Sequence, residues 1–204
     1  MSAHDAERWD RRHARADPPS PAPPDALVAA GLGDAASLAN VVTHAHVAGP
    51  SDRRRALDVA CGAGAVAAWL AQRGWSVVAL DVSEVALARV RAAADQLGVA
   101  SSIDTRRVDL DAGLPASLGS FELVVCQRFR DPDLHPALLE RTAVGGICAI
   151  TVLSESGADD PGPFHAPAGE LRTALAGAGV EVLHHSQGGG SESIVVRRRG
   201  GTVT

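Results

Sequence analysis

From Ala56 onward, short apolar runs alternate with longer stretches of helical period, the pattern of strands and helices that take turns along a βαβ chain. Ala56-Leu57-Asp58-Val59-Ala60 predicts a first strand that ends at Cys61-Gly62-Ala63-Gly64, and Ala65 to Arg73 predicts a helix closed by Gly74. Trp75 to Leu80 predicts a second strand that stops at Asp81. Ser83 then caps a helix with Glu84 in its first turn and Ala86, Val90, Ala93 and Leu97 on one face. Further strands are predicted at about Ser102 to Val108, Phe121 to Cys126 and Gly146 to Leu153, with a helix between the last two at Pro132 to Arg141. Phe121 to Cys126 is apolar except for Glu122, as in a central strand covered on both faces. A final helix starts near Pro167 and carries Leu171 and Leu175. Val180 to His185 and Ser193 to Arg198, joined through Gly188-Gly189-Gly190, form an antiparallel hairpin.

The first fifty residues have another texture. Asp17-Pro18-Pro19-Ser20-Pro21-Ala22-Pro23-Pro24 is an extended connector, because proline blocks a continuous helix there. Short helices are predicted around it at residues 4–15, Asp25 to Ala30 and Asp34 to Val47. The expected organisation is an N-terminal helical lid and connector over residues 1–50 and a ligand-binding domain over 51–204.

Length and composition narrow the class. A chain of 204 residues, 46% of them hydrophobic, fills one substantial core. It has no uncharged apolar run of about 18 residues or more, and Ala3 to Asp10 carries charges where a signal peptide needs apolar residues. A soluble cytoplasmic protein is expected. The net charge of -5 argues against sequence-independent binding to a phosphate backbone. Cys61, Cys126 and Cys148 are odd in number and widely spaced, so they build neither a disulfide framework nor a zinc knuckle.

The chemistry concentrates in the turn after the first strand. Gly62-Ala63-Gly64 sits between a strand and a helix, where missing side chains let a ligand approach the backbone and the helix N-terminus; extended to Ala67 it also fits the loose dinucleotide pattern. Asp81, at the end of the second strand, is placed to accept hydrogen bonds from ribose hydroxyls. Asp58 separates the two cofactor classes. A pyrophosphate would meet its carboxylate unfavourably, whereas S-adenosylmethionine brings an ammonium and a sulfonium. Two unit charges about 4 Å apart interact by roughly 4 kcal/mol at an effective dielectric of about 20. The competing reading of Asp58 is a cap on the following turn. Asp109-Leu110, after the third strand, offers an adenine ring one polar and one apolar contact; alone, such an Asp reads as a turn residue.

With these residues in place, the chain from about Arg55 to Arg199 resembles the class I S-adenosylmethionine-dependent methyltransferases, and within them the small tellurite-resistance-type and thiol-type enzymes. Asp58 to Gly64 matches the glycine motif, with Ala60 where many members have another Gly; Asp81 matches the ribose-binding acid, Asp109-Leu110 the adenine motif, and Phe121 to Cys126 the strand leading into the active site. The resemblance implies an α/β, Rossmann-like, seven-stranded sheet with helices on both faces, mostly parallel, whose last strand is antiparallel and inserts between the fifth and sixth. It implies that Asp58, Ala60, Cys61, Gly62, Gly64, Asp81, Val82, Asp109, Leu110 and Cys126 bind the cofactor. It also implies that Arg8-Trp9-Asp10 and the proline segment form a lid. Two departures stand out. Ala65-Val66 replaces an Arg-Asn pair of many close relatives, and Cys126-Gln127-Arg128-Phe129 lacks the motif by which base amino-methyltransferases hold their target nitrogen.

Trp9, Arg128 and Phe129 are candidate acceptor contacts, and His135 and His165 candidate proton acceptors; each has a plain structural alternative, such as an Arg128–Asp131 surface pair. His184-His185 and Asp159-Asp160 belong to no metal-ligand set of recognisable spacing, and no metal is expected. The expected activity is in-line methyl transfer to a small molecule by a monomer or homodimer, with neither nucleic acid nor membrane as partner. An NAD(P)-dependent oxidoreductase and a non-catalytic nucleotide-binding module are the alternatives. A Tyr-x-x-x-Lys reductase pair is excluded, since the chain contains neither Tyr nor Lys.

Overall fold

The computed structural model describes residues 3–15, 20–42, 53–175, 177 and 179–200. Its contacts divide the chain into two units, one of residues 1–23 and 49–119, the other of residues 24–48 and 120–204.

The first unit contains α1 (Ala3–Arg15), β1 (Arg55–Val59), α4 (Ala65–Ala71), β2 (Ser76–Asp81), α5 (Glu84–Gln96) and β3 (Ile103–Arg107). Its strands are parallel in the order β3-β2-β1, with Leu57 opposite Val78 and Ala79 opposite Thr105. The predicted caps operate: Ser83 Oγ accepts from the Ala86 N–H at 3.1 Å, and Gly74, in the left-handed region, ends the α4 segment. Leu57, Leu70, Leu80 and Leu87 are fully buried, each contributing about 2 kcal/mol of hydrophobic stabilisation.

The second unit contains α2 (Asp25–Ala29), α3 (Ala35–Val41), β4 (Phe121–Gln127), α6 (Leu134–Arg141), β5 (Thr142–Leu153), α7 (Glu170–Leu175), β6 (Val180–Gly188) and β7 (Ser191–Arg198). The strand order is β4-β5-β7-β6. β4 and β5 are parallel, and β7 runs antiparallel to both of its neighbours. The last strand therefore lies between the fifth and sixth, and the seven strands belong to one mixed, Rossmann-like sheet. Phe121, Leu123, Leu138, Ile147 and Ile150 are fully buried around β4 and β5.

Several boundaries differ from the sequence reading. β6 extends through Gly188, so the hairpin turns on Gly189-Gly190 alone, at φ of 58° and 77°. Two successive positive φ values match the twist of the flanking strands. β5 begins at Thr142 rather than Gly146, because its first residues bulge: Phe121 pairs with Thr142, yet Leu123 already pairs with Ile147. The predicted helix from Asp34 to Val47 is α3, ending at Val41, and its remainder from Thr43 lies outside the described residues, as do Asp17 to Pro19 of the connector.

The bulge requires glycine. A Cβ on Gly146 would stand 2.9 Å from the carbonyl oxygens of both Ala143 and Glu122. Gly146→Ala is expected to lower unfolding free energy by about 1–3 kcal/mol, measured as a shift of the urea midpoint at unchanged slope.

Candidate active site

The glycine turn is a chain of left-handed residues held by two carboxylates. Ala60, Gly62 and Gly64 have φ of 54°, 53° and 85°. Asp81, at the end of β2, organises this turn and the next one. Its Oδ2 accepts from the Gly62 N–H and its Oδ1 from the Ser83 N–H, both at 2.9 Å. A carboxylate has about four acceptor positions, so acceptor capacity remains for a ligand. Gly64 is required twice over, since a Cβ there would also lie 2.7 Å from Val90 Cγ2 on α5. Ala60 adopts the same backbone region with a side chain, at a cost of about 1–2 kcal/mol.

Asp58 sits on β1, 2% exposed. It receives the backbone N–H of Ala67 in the first turn of α4, so the capping role is real. Its Oδ2, however, is buried with no hydrogen-bond partner among the described residues. Burial first, and the neighbouring Asp81 charge with it, pushes the Asp58 carboxyl up to about 7 against the opposing pull of the Ala67 N–H. Cys61 is half-buried in the turn, and burial followed by the Asp58 and Asp81 charges holds its thiol well above its ordinary value. It is therefore no thiolate nucleophile at neutral pH.

The other predicted cofactor residues of the first unit lie at the ends of its strands. Val82 is buried, and its carbonyl accepts from Arg107 Nε at 3.1 Å. Asp109 caps a short 3₁₀ turn through the Asp111 N–H at 3.1 Å, and Leu110 is buried behind it.

α1 covers this turn with Asp10, named in the lid reading, and with His13, which sequence reasoning missed. Asp10 Oδ1 accepts from Ser83 Oγ at 2.5 Å and from the Val85 N–H at 3.3 Å, completing the N-terminus of α5. Arg89 Nη1 donates to the His13 carbonyl. The His13 imidazole reaches the glycine turn, its Cε1 lying 3.4 Å from where a Cβ on Gly62 would be. Ala6, Asp10 and His13 recur at i, i+4 and i+7, a stripe that signals one docked helix face. Trp9 stacks on His13 with ring centroids 6.0 Å apart, and the guanidiniums of Arg8 and Arg12 lie 5.7 and 5.2 Å from its centroid. The connector crosses the start of α4, where the Ala22 N–H donates to the Ala65 carbonyl at 3.1 Å.

Cys126, Arg128 and Phe129 belong to the second unit. Cys126 is buried near the end of β4, its Sγ 3.8 Å from the Phe129 carbonyl oxygen. Arg128 has φ 58° and is exposed, and it pairs with Asp25 at 3.0 Å rather than with Asp131. Asp131 instead accepts from the Asp133 N–H. Phe129 is half-buried. Of the two histidine candidates, His135 is buried on α6 with neither ring nitrogen bonded among the described residues, and burial lowers its pKa. His165 Nδ1 accepts from the Gly162 N–H at 2.9 Å in a surface turn. His185 is not a solvated residue. Its Nε2 lies 2.9 Å from Oε1 of Glu192, a fully buried carboxylate that composition and spacing do not single out. Among the described residues no three of His, Cys, Asp and Glu gather in a metal-binding group.

The family model for a methyltransferase domain matches residues 56–144, from β1 into the start of β5. The similarity to a methyltransferase domain is thus confined to residues 56–144, under half of the chain. The ubiquinone biosynthesis O-methyltransferase of Hahella chejuensis is 32% identical over 106 residues, which cover 52% of this chain and 41% of that protein. The match thus spans about two-fifths of the relative's length. Among solved structures, TehB from Haemophilus influenzae superposes with a TM-score of 0.63 at 20% identity, covering 82% of this chain and 62% of that one. Geranyl diphosphate C-methyltransferase from Streptomyces coelicolor A3(2), solved with S-adenosyl-L-homocysteine, gives a TM-score of 0.63 at 13% identity over 96% of this chain and 98% of that one. The structural likenesses show the Rossmann-like fold alone.

Ala60→Gly in this domain is expected to raise stability by about 1 kcal/mol, since relief of left-handed strain exceeds the added entropy of the unfolded chain. Thermal and urea unfolding of the ligand-free protein measure it, with Ala60→Val expected to act in the opposite direction.

Proposed function

We propose that this chain transfers a methyl group from S-adenosylmethionine to a small-molecule acceptor by in-line displacement, in the cytoplasm, as a monomer or homodimer without nucleic acid or membrane as partner. The observation that carries the reading is the buried, half-satisfied carboxylate of Asp58 beside a glycine turn. Once ionised, that carboxylate offers a cation an unfilled acceptor and a diphosphate repulsion. No described helix is long and apolar enough to cross a membrane.

In this reading Asp58 takes the ammonium of the amino-acid tail. Ala60, Cys61, Gly62 and Gly64 present backbone to the ligand, with the space a Cβ would take filled by Val90 at Gly64 and bordered by His13 at Gly62. Asp81, with Val82 beside it, takes the ribose hydroxyls through its remaining acceptor capacity, Asp109 and Leu110 take the adenine, and Cys126 lines the strand that leads to the reacting groups. Bound S-adenosylmethionine supplies the electrophilic methyl group. The residues' contribution is to hold donor and acceptor in line, which by itself lowers the barrier substantially. Trp9, Arg128 and Phe129 are the proposed acceptor contacts, and no general base is assigned. Residues 1–50 serve as lid and connector to the domain at 51–204, a reading supported by the hydrogen bonds of Asp10 to the start of α5 and of Ala22 to the start of α4. Relatives named for ubiquinone biosynthesis and for geranyl diphosphate methylation support a small-molecule acceptor.

S-adenosylmethionine at a hundredfold excess over its Kd is expected to stabilise the fold by about 2.7 kcal/mol, with NAD giving no thermal shift. Asp81→Ala is expected to remove the response. Stabilisation by NAD alone overturns the proposal.

The ionisation of Asp58 adds a pH signature. Its pKa is raised from 3.8 in the unfolded reference to about 7 in the fold, so the folded chain holds the proton more tightly. That contribution to stability is present below the unfolded pKa and is lost as pH rises toward about 7. Asp58→Asn is expected to abolish this fall in thermal stability between pH 4 and 7. A ligand that needs the carboxylate ionised binds about tenfold more weakly per pH unit below that point. Titration calorimetry of the wild type and Asp58→Asn checks the affinity change.

A further inference from the structure

His13 is a half-buried imidazole that the methyl-transfer reading above leaves without a role. It stands over the glycine turn, with Cε1 3.4 Å from the Cβ position of Gly62. Its ring is stacked on Trp9 at an interplanar angle of 27°, and its own carbonyl is clamped by Arg89. Asp10, bonded to Ser83 and Val85, fixes the helix that carries it. The ring is therefore positioned by contacts at both its side chain and its backbone, facing the segment between Asp58 and Asp81.

The chemistry of that segment narrows what the ring does. An amino-acid head whose ammonium is taken by Asp58 still presents a carboxylate that needs a donor, next to a sulfonium that a further cation would repel. A neutral imidazole supplies an N–H without a charge. The surroundings of His13 favour that form: burial is the leading influence, and the guanidiniums of Arg12 on α1 and Arg89 on α5 add to it, against the carboxylates of Asp81 on β2 and Asp10 on α1.

We propose that His13 is a cofactor-contacting residue: it lies on the amino-acid head of the methyl donor, gives a neutral N–H to its carboxylate, and distinguishes the sulfonium donor from the thioether product. The inference rests on the methyl-donor reading above. Once protonated, His13 repels the sulfonium, while the product, which lacks that charge, escapes the repulsion. Acid therefore weakens the donor more than the product.

Titration calorimetry with S-adenosylmethionine and S-adenosylhomocysteine, on wild type, His13→Gln and His13→Ala from pH 8 down to pH 4.5, reads this directly. In the wild type the ratio of donor Kd to product Kd is expected to rise about fivefold to tenfold on acidification, the size of one unit-charge repulsion across a partly screened contact. Asp58 titrates in the same interval but acts on the ammonium common to both compounds, so it largely cancels in the ratio. Both variants are expected to show a flat ratio, and at pH 8 His13→Ala weakens both ligands more than His13→Gln, which keeps an N–H donor. Variants that bind as the wild type does, or that retain its pH-dependent ratio, overturn the role of His13 alone. A wild type that binds neither compound overturns the methyl-donor reading and this inference with it.

Discussion

A carboxylate buried at the mouth of a turn is the constraint around which the first unit is arranged. Asp58 satisfies one oxygen on the α4 backbone and leaves the other without a partner among the described residues, while Asp81 holds two backbone N–H groups from consecutive turns. An unsatisfied buried polar atom costs about 1–3 kcal/mol, and a left-handed alanine adds a comparable sum. Domains are stable by only about 5–15 kcal/mol. Concentrating both costs in one seven-residue turn is intelligible where the turn is built to receive something that offsets them.

Much of this was legible in the order of residues. The strand-turn-helix from Ala56 to Arg73, the cap at Ser83 and the acid at Asp81 are local patterns, each set by residues a few positions apart, and the structure places them within a residue or two of expectation. The hairpin between β6 and β7 could be read in the same way, because glycine is the residue that two consecutive positive φ values demand. What escaped sequence reasoning is long-range. Nothing near Asp10 announces that it completes a helix beginning seventy-odd positions later, and nothing near Glu192 announces that His185 and the Arg172 N–H converge on it. The β5 bulge was missed for a related reason: Gly145-Gly146 reads as a turn before a strand until the partner register shows that the strand has already begun.

The second unit keeps its own polar interior. Arg130 grips Glu170 in a forked pair, with Nε 2.9 and 3.1 Å from the two carboxylate oxygens, and His135 lies in the field of that pair and of Glu192. Arg130 compensates the burial of Glu170, whereas Glu192 is held through one oxygen by His185 and the Arg172 N–H and keeps its Oε2, like Oδ2 of Asp58, buried without a hydrogen-bond partner among the described residues.

The tie between Asp10 and Ser83 also bears on the order in which the chain assembles. The two residues are 73 positions apart, and the donor exists in its bonded orientation only once α5 has begun. Closing so long a loop for a helix of thirteen residues, few of them buried, gives little return until the remainder of the unit has formed. Docking of α1 therefore belongs late in folding and near the bottom of the local-stability scale, so this helix detaches at a smaller free energy than the strands beneath it and exchanges its amide protons sooner.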